Sequence, residues 1–244
     1  MTLRGCLLFA AIVLAGAFAS AAADPLAPML RAYGPGGPHH ALEEAAELYR
    51  QRYGVAVGVF KAGPVELARK LREVGDIYFG GAEYMLEEFA SENPGLLDMT
   101  SVEKLYPRRI GILVRKGNPL NIEGVDCLAE EGVDLLAAGL EKMEPFLASP
   151  GNGRPPVRKW VFTGQDGAKA WLAATELDAW VTYKSWHVSL LGESEFIPIP
   201  GDHALRYTML ALTRRTTNRP EALRFFNFLK SPDARRIFVE HGWD

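Results

Sequence analysis

Residues 29–60 read MLRAYGPGGPHHALEEAAELYRQRYGVAVGVF. A short strand is predicted over Met29 to Tyr33, ending in the turn Gly34-Pro35-Gly36-Gly37-Pro38. Beyond it Leu42, Ala45, Ala46, Tyr49 and Tyr53 recur at helical spacing and form one apolar face. Gly54 ends the helix, because a residue without a Cβ takes up the left-handed cap at little cost. Val55, Val57 and Val59 then alternate with small residues before Phe60, as a buried strand does. The unit is strand, helix, strand, which is the repeating element of an α/β sheet.

The same rhythm continues outward. Gly63-Pro64 opens a helix with Leu67, Ala68, Leu71 and Val74 inward, and Asp76 to Phe79 is a strand ended by Gly80-Gly81. Ile110 to Arg115 is a strand closed by Lys116-Gly117-Asn118-Pro119. A short helix is expected near Val125 to Glu131 and a strand at Val133 to Ala138. Residues 139–158 break the pattern, with a short helix at Leu140 to Leu147 as their one element. Order returns with a helix over Gln165 to Thr175 and a strand at Asp178 to Thr182; after Glu195 to Ile199 the chain turns through Pro200-Gly201, Tyr207 to Leu212 is a strand, and two closing helices follow Pro220 and Pro232. The expected class is α/β with mainly parallel sheets flanked by helices.

The chain start indicates export. Arg4 precedes an uncharged apolar run from Cys6 to Phe18, and Ala21-Ala22-Ala23 before Asp24 has the small-residue pattern read by a signal peptidase. That run of 13 residues is shorter than the roughly 20 a membrane helix needs. Residues 1–23 are therefore expected to be a signal peptide, and the mature protein to be soluble in the periplasm. Residues 24–244 give room for two lobes of about 100 residues each. A formal charge of −3, made more negative by loss of Arg4, argues against nucleic acid or an anionic membrane as partner. The mature chain keeps one cysteine, Cys127, so no intrachain disulfide forms and a buried, inert thiol is expected.

Candidate binding groups cluster at strand ends. In open α/β sheets ligands lie beyond the carboxyl ends of the strands, where helix N-termini present free N–H groups. The Gly34 to Pro38 turn, Gly63-Pro64 and Gly80-Gly81-Ala82-Glu83 occupy such positions, and Arg108-Arg109 precedes the Ile110 strand. An arginine fork matches a carboxylate or another oxyanion. The turn is neither a dinucleotide fingerprint nor a P-loop, since the Gly-x-Gly-x-x-Gly spacing and a Gly-Lys-Ser/Thr sequence are absent. Neither a Gly-x-Ser-x-Gly elbow nor a His-Glu-x-x-His helix is present, and His39-His40 lacks a third spaced ligand. Catalysis and a metal or organic cofactor are not expected.

Tyr33-Gly34-Pro35-Gly36-Gly37-Pro38-His39 with Ala41-Leu42 resembles the opening motif of the accessory colonization factor AcfC family, which includes a major antigenic glycoprotein of campylobacters. The likeness continues through Asp76-Ile77-Tyr78-Phe79-Gly80-Gly81, Leu105-Tyr106-Pro107-Arg108, Lys116-Gly117-Asn118-Pro119, Asp178-Ala179-Trp180-Val181-Thr182 and Phe228-Leu229-Lys230-Ser231-Pro232. The resemblance implies a type II periplasmic binding protein: two α/β lobes joined by two crossover strands, gripping a ligand between them. Lobe 1 would comprise 24–109 and 204–244, and lobe 2 would comprise 110–203. It also implies a small anion, either a tetrahedral oxyanion such as molybdate, tungstate or sulfate, or a compact carboxylate such as citrate. An ABC-type permease would be the partner, and the protein would be a monomer or a homodimer.

Arg108 aligns with an arginine of the family pattern and is the expected charge partner. Gly36, Gly37 and Gly63 would let backbone approach the ligand, with Gly81 and Glu83 lining lobe 1. Thr163, Gly164, Thr182 and Tyr183 would contribute from lobe 2. One departure stands out: the family's Gly-x-Trp-Glu-Asp-like helix start is missing from Ala137 to Pro156, leaving Thr163-Gly164-Gln165 as the remaining donors there. The alternative reading is an envelope adhesin that keeps the fold without transport.

Overall fold

The computed structural model describes residues 30–147 and 155–244. The expected signal peptide and its cleavage point lie outside the described residues, as does part of the 139–158 stretch.

Strand β1 (Leu30–Gly34) runs into helix α1 (His39–Tyr53), which buries Ala41, Leu42, Ala45, Ala46 and Tyr49. Gly54 caps it at φ 72°, its N–H reaching the Arg50 carbonyl. Strand β2 (Val57–Lys61) pairs parallel to β1. Helix α2 (Pro64–Glu73) starts on a proline, whose missing N–H costs nothing in a first turn. Strand β3 (Ile77–Gly80) pairs parallel to the other side of β1, and α3 (Glu83–Glu92) follows.

The chain then enters β4 (Leu97–Arg115), 19 residues long. Its first part pairs with β9 (Leu205–Thr213), and its last part, from Ile110, pairs with β7 (Ala179–Tyr183) and β8 (Ser194–Pro198). β9 also borders β3. These two strands carry the chain between a first sheet and a second, the latter completed by β5 (Leu135–Ala138) and β6 (Val157–Val161). Helices α4 (Gly164–Ala173) and α5 (Lys184–Ser189) cover one face of the second sheet, and α6 (Arg219–Leu229) and α7 (Pro232–Glu240) return to pack on the first. The result is the two-lobed α/β arrangement with two crossover strands.

Both sheets are covered on both faces. In the second sheet, Ile110, Ile112 and Val114 project into one core, while Leu113 meets Trp171 and Trp180 in the other, as the two-residue repeat of a strand requires. Parallel pairing holds where strands alternate with helices, among β1, β2 and β3 and among β5, β6 and β7. All pairings of the long strands β4 and β9 are antiparallel, because a strand that crosses between lobes meets its neighbours head to tail.

Several elements differ from the sequence reading. β4 begins at Leu97 rather than Ile110, since two register shifts, one ending at Pro107, break the alternation that would reveal it. β6 and α5 were not expected. β6 exposes Arg158, Lys159 and Trp160, and α5 buries no residue fully, so neither carries an amphipathic signal. The helix expected near Val125 is a 3₁₀ helix over Val125–Ala129, and Leu140 to Leu147 holds two 3₁₀ turns, Gly139–Glu141 and Glu144–Phe146. Cys127 is a free thiol, half-buried rather than fully buried.

Candidate functional site: a cleft between the lobes

The carboxyl ends of the parallel strands converge on one cleft of about 380 Å³. That volume suits a small molecule. The loop after β1 supplies Pro35, Gly36 and Gly37; β2 supplies Lys61 at its end; the turn after β5 supplies Leu140 and Glu141. Thr163 and Gly164 come from the junction of β6 and α4, and Tyr183, Ser185 and Trp186 from the end of β7 and α5.

Arg108 lines the cleft and is 3 % exposed. Its Nη1 donates to the Gly81 carbonyl at 3.1 Å, and its Nη2 to the Ser185 hydroxyl at 3.2 Å. The guanidinium carbon sits 3.7 Å from the centroid of the Tyr183 ring and 5.1 Å from that of Trp243. A Cβ on Gly81 would stand 2.6 Å from Nη1, and one on Gly37 would stand 3.1 Å away, so the bare backbone at both glycines closes on the tip of the arginine. Among the described residues no carboxylate lies within 4.0 Å of its nitrogens. Nε and the Tyr183 hydroxyl are buried without a hydrogen-bond partner. Burial holds the Arg108 pKa below the usual arginine range. A buried cation with a free donor is costly unless an anion reaches it.

Glu141 faces this cation's cleft from the second lobe and is 6 % exposed. Its carboxylate accepts from the Thr182 hydroxyl at 2.6 Å and from Trp186 Nε1 at 2.7 Å. Burial, opposed by those two donors and by Arg108, raises its pKa to about 7. A Cβ on Gly164 would stand 2.4 Å from Glu141 Oε1 and 2.6 Å from Trp186 Nε1, so the carboxylate is seated against the first turn of α4. Gly164→Ala is therefore expected to push the carboxylate out of its seat. The cost should be about 1–3 kcal/mol, read as a lower urea midpoint with an unchanged slope.

The groups singled out in sequence fall into two sets. Gly36, Gly37, Arg108, Thr163, Gly164 and Tyr183 border the cleft. Gly81 stands behind Arg108, and Thr182, fully buried, stands behind Glu141. Glu83 accepts from the Tyr207 N–H at 3.0 Å and pairs with Lys104 at 3.8 Å, away from the cleft lining. Gly63 caps α2 with nothing within 4 Å of its Cβ position. Arg109 is paired with Asp244 at 2.6 Å. The Thr163 hydroxyl caps α4, accepting from the Asp166 N–H at 3.1 Å. Glu141 escaped the sequence reading. Its one signal was a carboxylate three residues after a buried strand, and its partners are 41 and 45 positions away.

Two contacts join α3 to the turn after β5. The Tyr84 hydroxyl donates to the Leu140 carbonyl at 2.9 Å, and Lys142 forms an ion pair with Glu88. Among the described residues, His39, His40 and Glu43 bring metal-type donor atoms within 4.8 Å of one another. Both Nδ1 atoms lie near the same Glu43 oxygen, at 3.1 and 3.3 Å, and only that of His40 is hydrogen-bonded to it. No helix among the described residues is long and apolar enough to cross a membrane.

Comparison with known proteins places this geometry. No curated protein sequence matches the chain. Peb3 from Campylobacter jejuni is 26% identical, with a TM-score of 0.68 over 88% of this chain and 98% of that one. A structure of PEB3 with bound L-phospholactate is 25% identical, with a TM-score of 0.71 over the same shares. The periplasmic molybdate-binding protein of Azotobacter vinelandii, 14% identical, shares the fold at a TM-score of 0.65, again over 88% and 98%. The family model for bacterial extracellular solute-binding proteins matches residues 30–244, and the chain belongs to that family.

Proposed function

We propose that this protein is a non-catalytic, periplasmic solute-binding protein that captures a small anion between its lobes for uptake by an ABC-type permease. We further place it in the AcfC-like branch, on the strength of the opening motif Tyr33 to His39. The observation that carries the reading is Arg108, a buried guanidinium with an unpartnered Nε and no carboxylate beside it. Lys61 adds a second positive group at the rim. The lobe boundaries at 109/110 and 203/204 fall where β4 passes between sheets and β9 begins, which fits a hinge at the crossover strands.

The test is thermal unfolding of residues 24–244 against molybdate, tungstate, sulfate, phosphate, citrate and a phosphorylated carboxylate. The last is chosen because the related PEB3 has been solved with L-phospholactate. A ligand at about 100 times its dissociation constant adds roughly 2.7 kcal/mol to the folded state, a shift of several degrees for a chain of this size. A clear shift with one class supports capture and identifies the ligand type. No shift with any of them, in protein shown to be free of bound ligand, favours an envelope adhesin that retains the fold. That second reading draws on Glu141, whose carboxylate occupies the second-lobe position at the start of α4.

A further inference from the structure

Glu141 is an odd neighbour for an anion. Each carboxylate oxygen receives one donor, Thr182 on Oε2 and Trp186 on Oε1, and a carboxylate has about four lone-pair sites. The remaining acceptor capacity borders the same cleft as Arg108. The cleft thus has a cationic donor pole, the Arg108 guanidinium that lines it, and an acceptor pole in the second lobe. A fully deprotonated oxyanion has acceptors only. It would satisfy the first pole and place a bare oxygen against the second, where two acceptors without a shared proton repel. An anion that carries its own acidic hydrogen satisfies both.

We propose that Glu141 is the specificity-determining residue of the cleft, selecting anions that bring a proton, hydrogen phosphate being the simplest, over fully ionised tetrahedral anions such as sulfate. The inference rests on the anion-binding reading above and deepens it. Two details support a dedicated seat. The carboxylate is pinned by a threonine and a tryptophan, and Gly164 is the residue whose missing Cβ makes room for it. The same carboxylate titrates at about 7, so it exchanges a proton within the range in which the ligand would supply one. Sites built to hydrogen-bond a substrate hydrogen reject analogues lacking it strongly, because a buried acceptor is left unpaired.

Hydrogen phosphate and sulfate are matched in shape and, at about pH 8, both are dianions, so their comparison isolates the proton. Isothermal titration calorimetry at that pH on wild type and Glu141→Gln is the test. Wild type is expected to bind phosphate on the order of 100-fold or more tighter than sulfate. In Glu141→Gln the amide oxygen can accept from Trp186 while its NH2 donates to the Thr182 hydroxyl and the cleft. The ratio should then fall below about tenfold, mainly through a gain in sulfate affinity.

The pH dependence of sulfate binding, followed in wild type and in Glu141→Gln, provides a second measurement. In wild type, sulfate affinity should rise about tenfold per pH unit on acidification towards the range where Glu141 gains its proton, then level off. The other charged or titratable groups near Glu141 are Arg108 on β4, Tyr183 on β7 and Tyr84 on α3. His40 and His241 also border the cleft, and their contribution is common to both proteins and cancels in the comparison. Equal phosphate and sulfate affinities in wild type, or a ratio unmoved by Glu141→Gln, overturn the selectivity and leave anion capture standing. Binding of neither anion by either folded protein overturns the selectivity, and anion capture falls with it only if the metal oxyanions and carboxylates of the thermal-unfolding panel also fail to bind.

Discussion

Arg108→Met is expected to cost on the order of 100- to 1000-fold in anion affinity while leaving the unliganded protein within about 1 kcal/mol of its parent. The two halves of this expectation have one cause. In the folded protein the guanidinium is almost fully buried among Gly37, Gly81, Ser185 and the rings of Tyr183 and Trp243. Bringing a cation there costs several kcal/mol, partly offset by those hydrogen bonds and ring contacts. Methionine keeps an apolar stem between Tyr183 and Trp243 and removes the desolvation cost. Against that gain stand the lost partners of the Gly81 carbonyl and the Ser185 hydroxyl, at about 1–3 kcal/mol. The terms nearly cancel. Ligand binding has no such compensation, because the anion loses its buried charge partner. Calorimetry and urea unfolding on the same preparation test both halves. A ligand bound equally well by parent and variant would remove Arg108 from the site, and a large loss of stability would show the arginine to be structural. Arg108→Lys should fall between, since it keeps the charge and loses the planar fork.

The parts of this molecule legible in its sequence are those whose signal is local. The β1–α1–β2 unit was readable because Leu42, Ala45, Ala46 and Tyr49 are buried at helical spacing and Gly54 ends the helix in the left-handed region. Strand ends were readable as the side on which a binding cleft would open, and the loops after β1 and β7 border the cleft found there. Preferring Arg108 to Arg109 needed the family resemblance, since two adjacent arginines look alike in sequence. In three dimensions they separate completely, Arg109 to an ion pair with Asp244 and Arg108 to the cleft. What was illegible is either weakly amphipathic or assembled from afar. β6 presents Arg158, Lys159 and Trp160 to solvent, and α5 has six residues and buries none fully. Glu141 belongs to the second kind, because Thr182 and Trp186 meet it only after β5 and β7 have paired.

The pH dependence of folding gives an independent view of that carboxylate. Its pKa is about 7 in the folded protein against 4.5 for an exposed glutamate. Between those values the folded state holds a proton that the unfolded chain has released. The folded pKa is the higher one, so the stabilisation is fully present below about pH 4.5 and is lost as pH rises through about 7. The difference corresponds to about 3 kcal/mol. Other groups act elsewhere or in the opposite sense. Asp98 is held at about 2 by the Thr100 and Arg219 side chains, so its contribution is lost only in stronger acid. Burial lowers the pKa of His39 and His187, and their contribution is present above about 6.5 and lost as pH falls. The raw stability curve mixes these terms, and subtracting the curve of Glu141→Gln isolates one. Urea unfolding in buffers free of phosphate and sulfate should find the variant near its parent at about pH 5 and more stable by about 3 kcal/mol at about pH 8. A difference that stays constant across that range would mean Glu141 does not titrate there. Because Arg108 is the cation that favours the ionised form, Arg108→Met should carry the parent's loss of stability on to higher pH, and the same extension should vanish once Glu141 is also replaced.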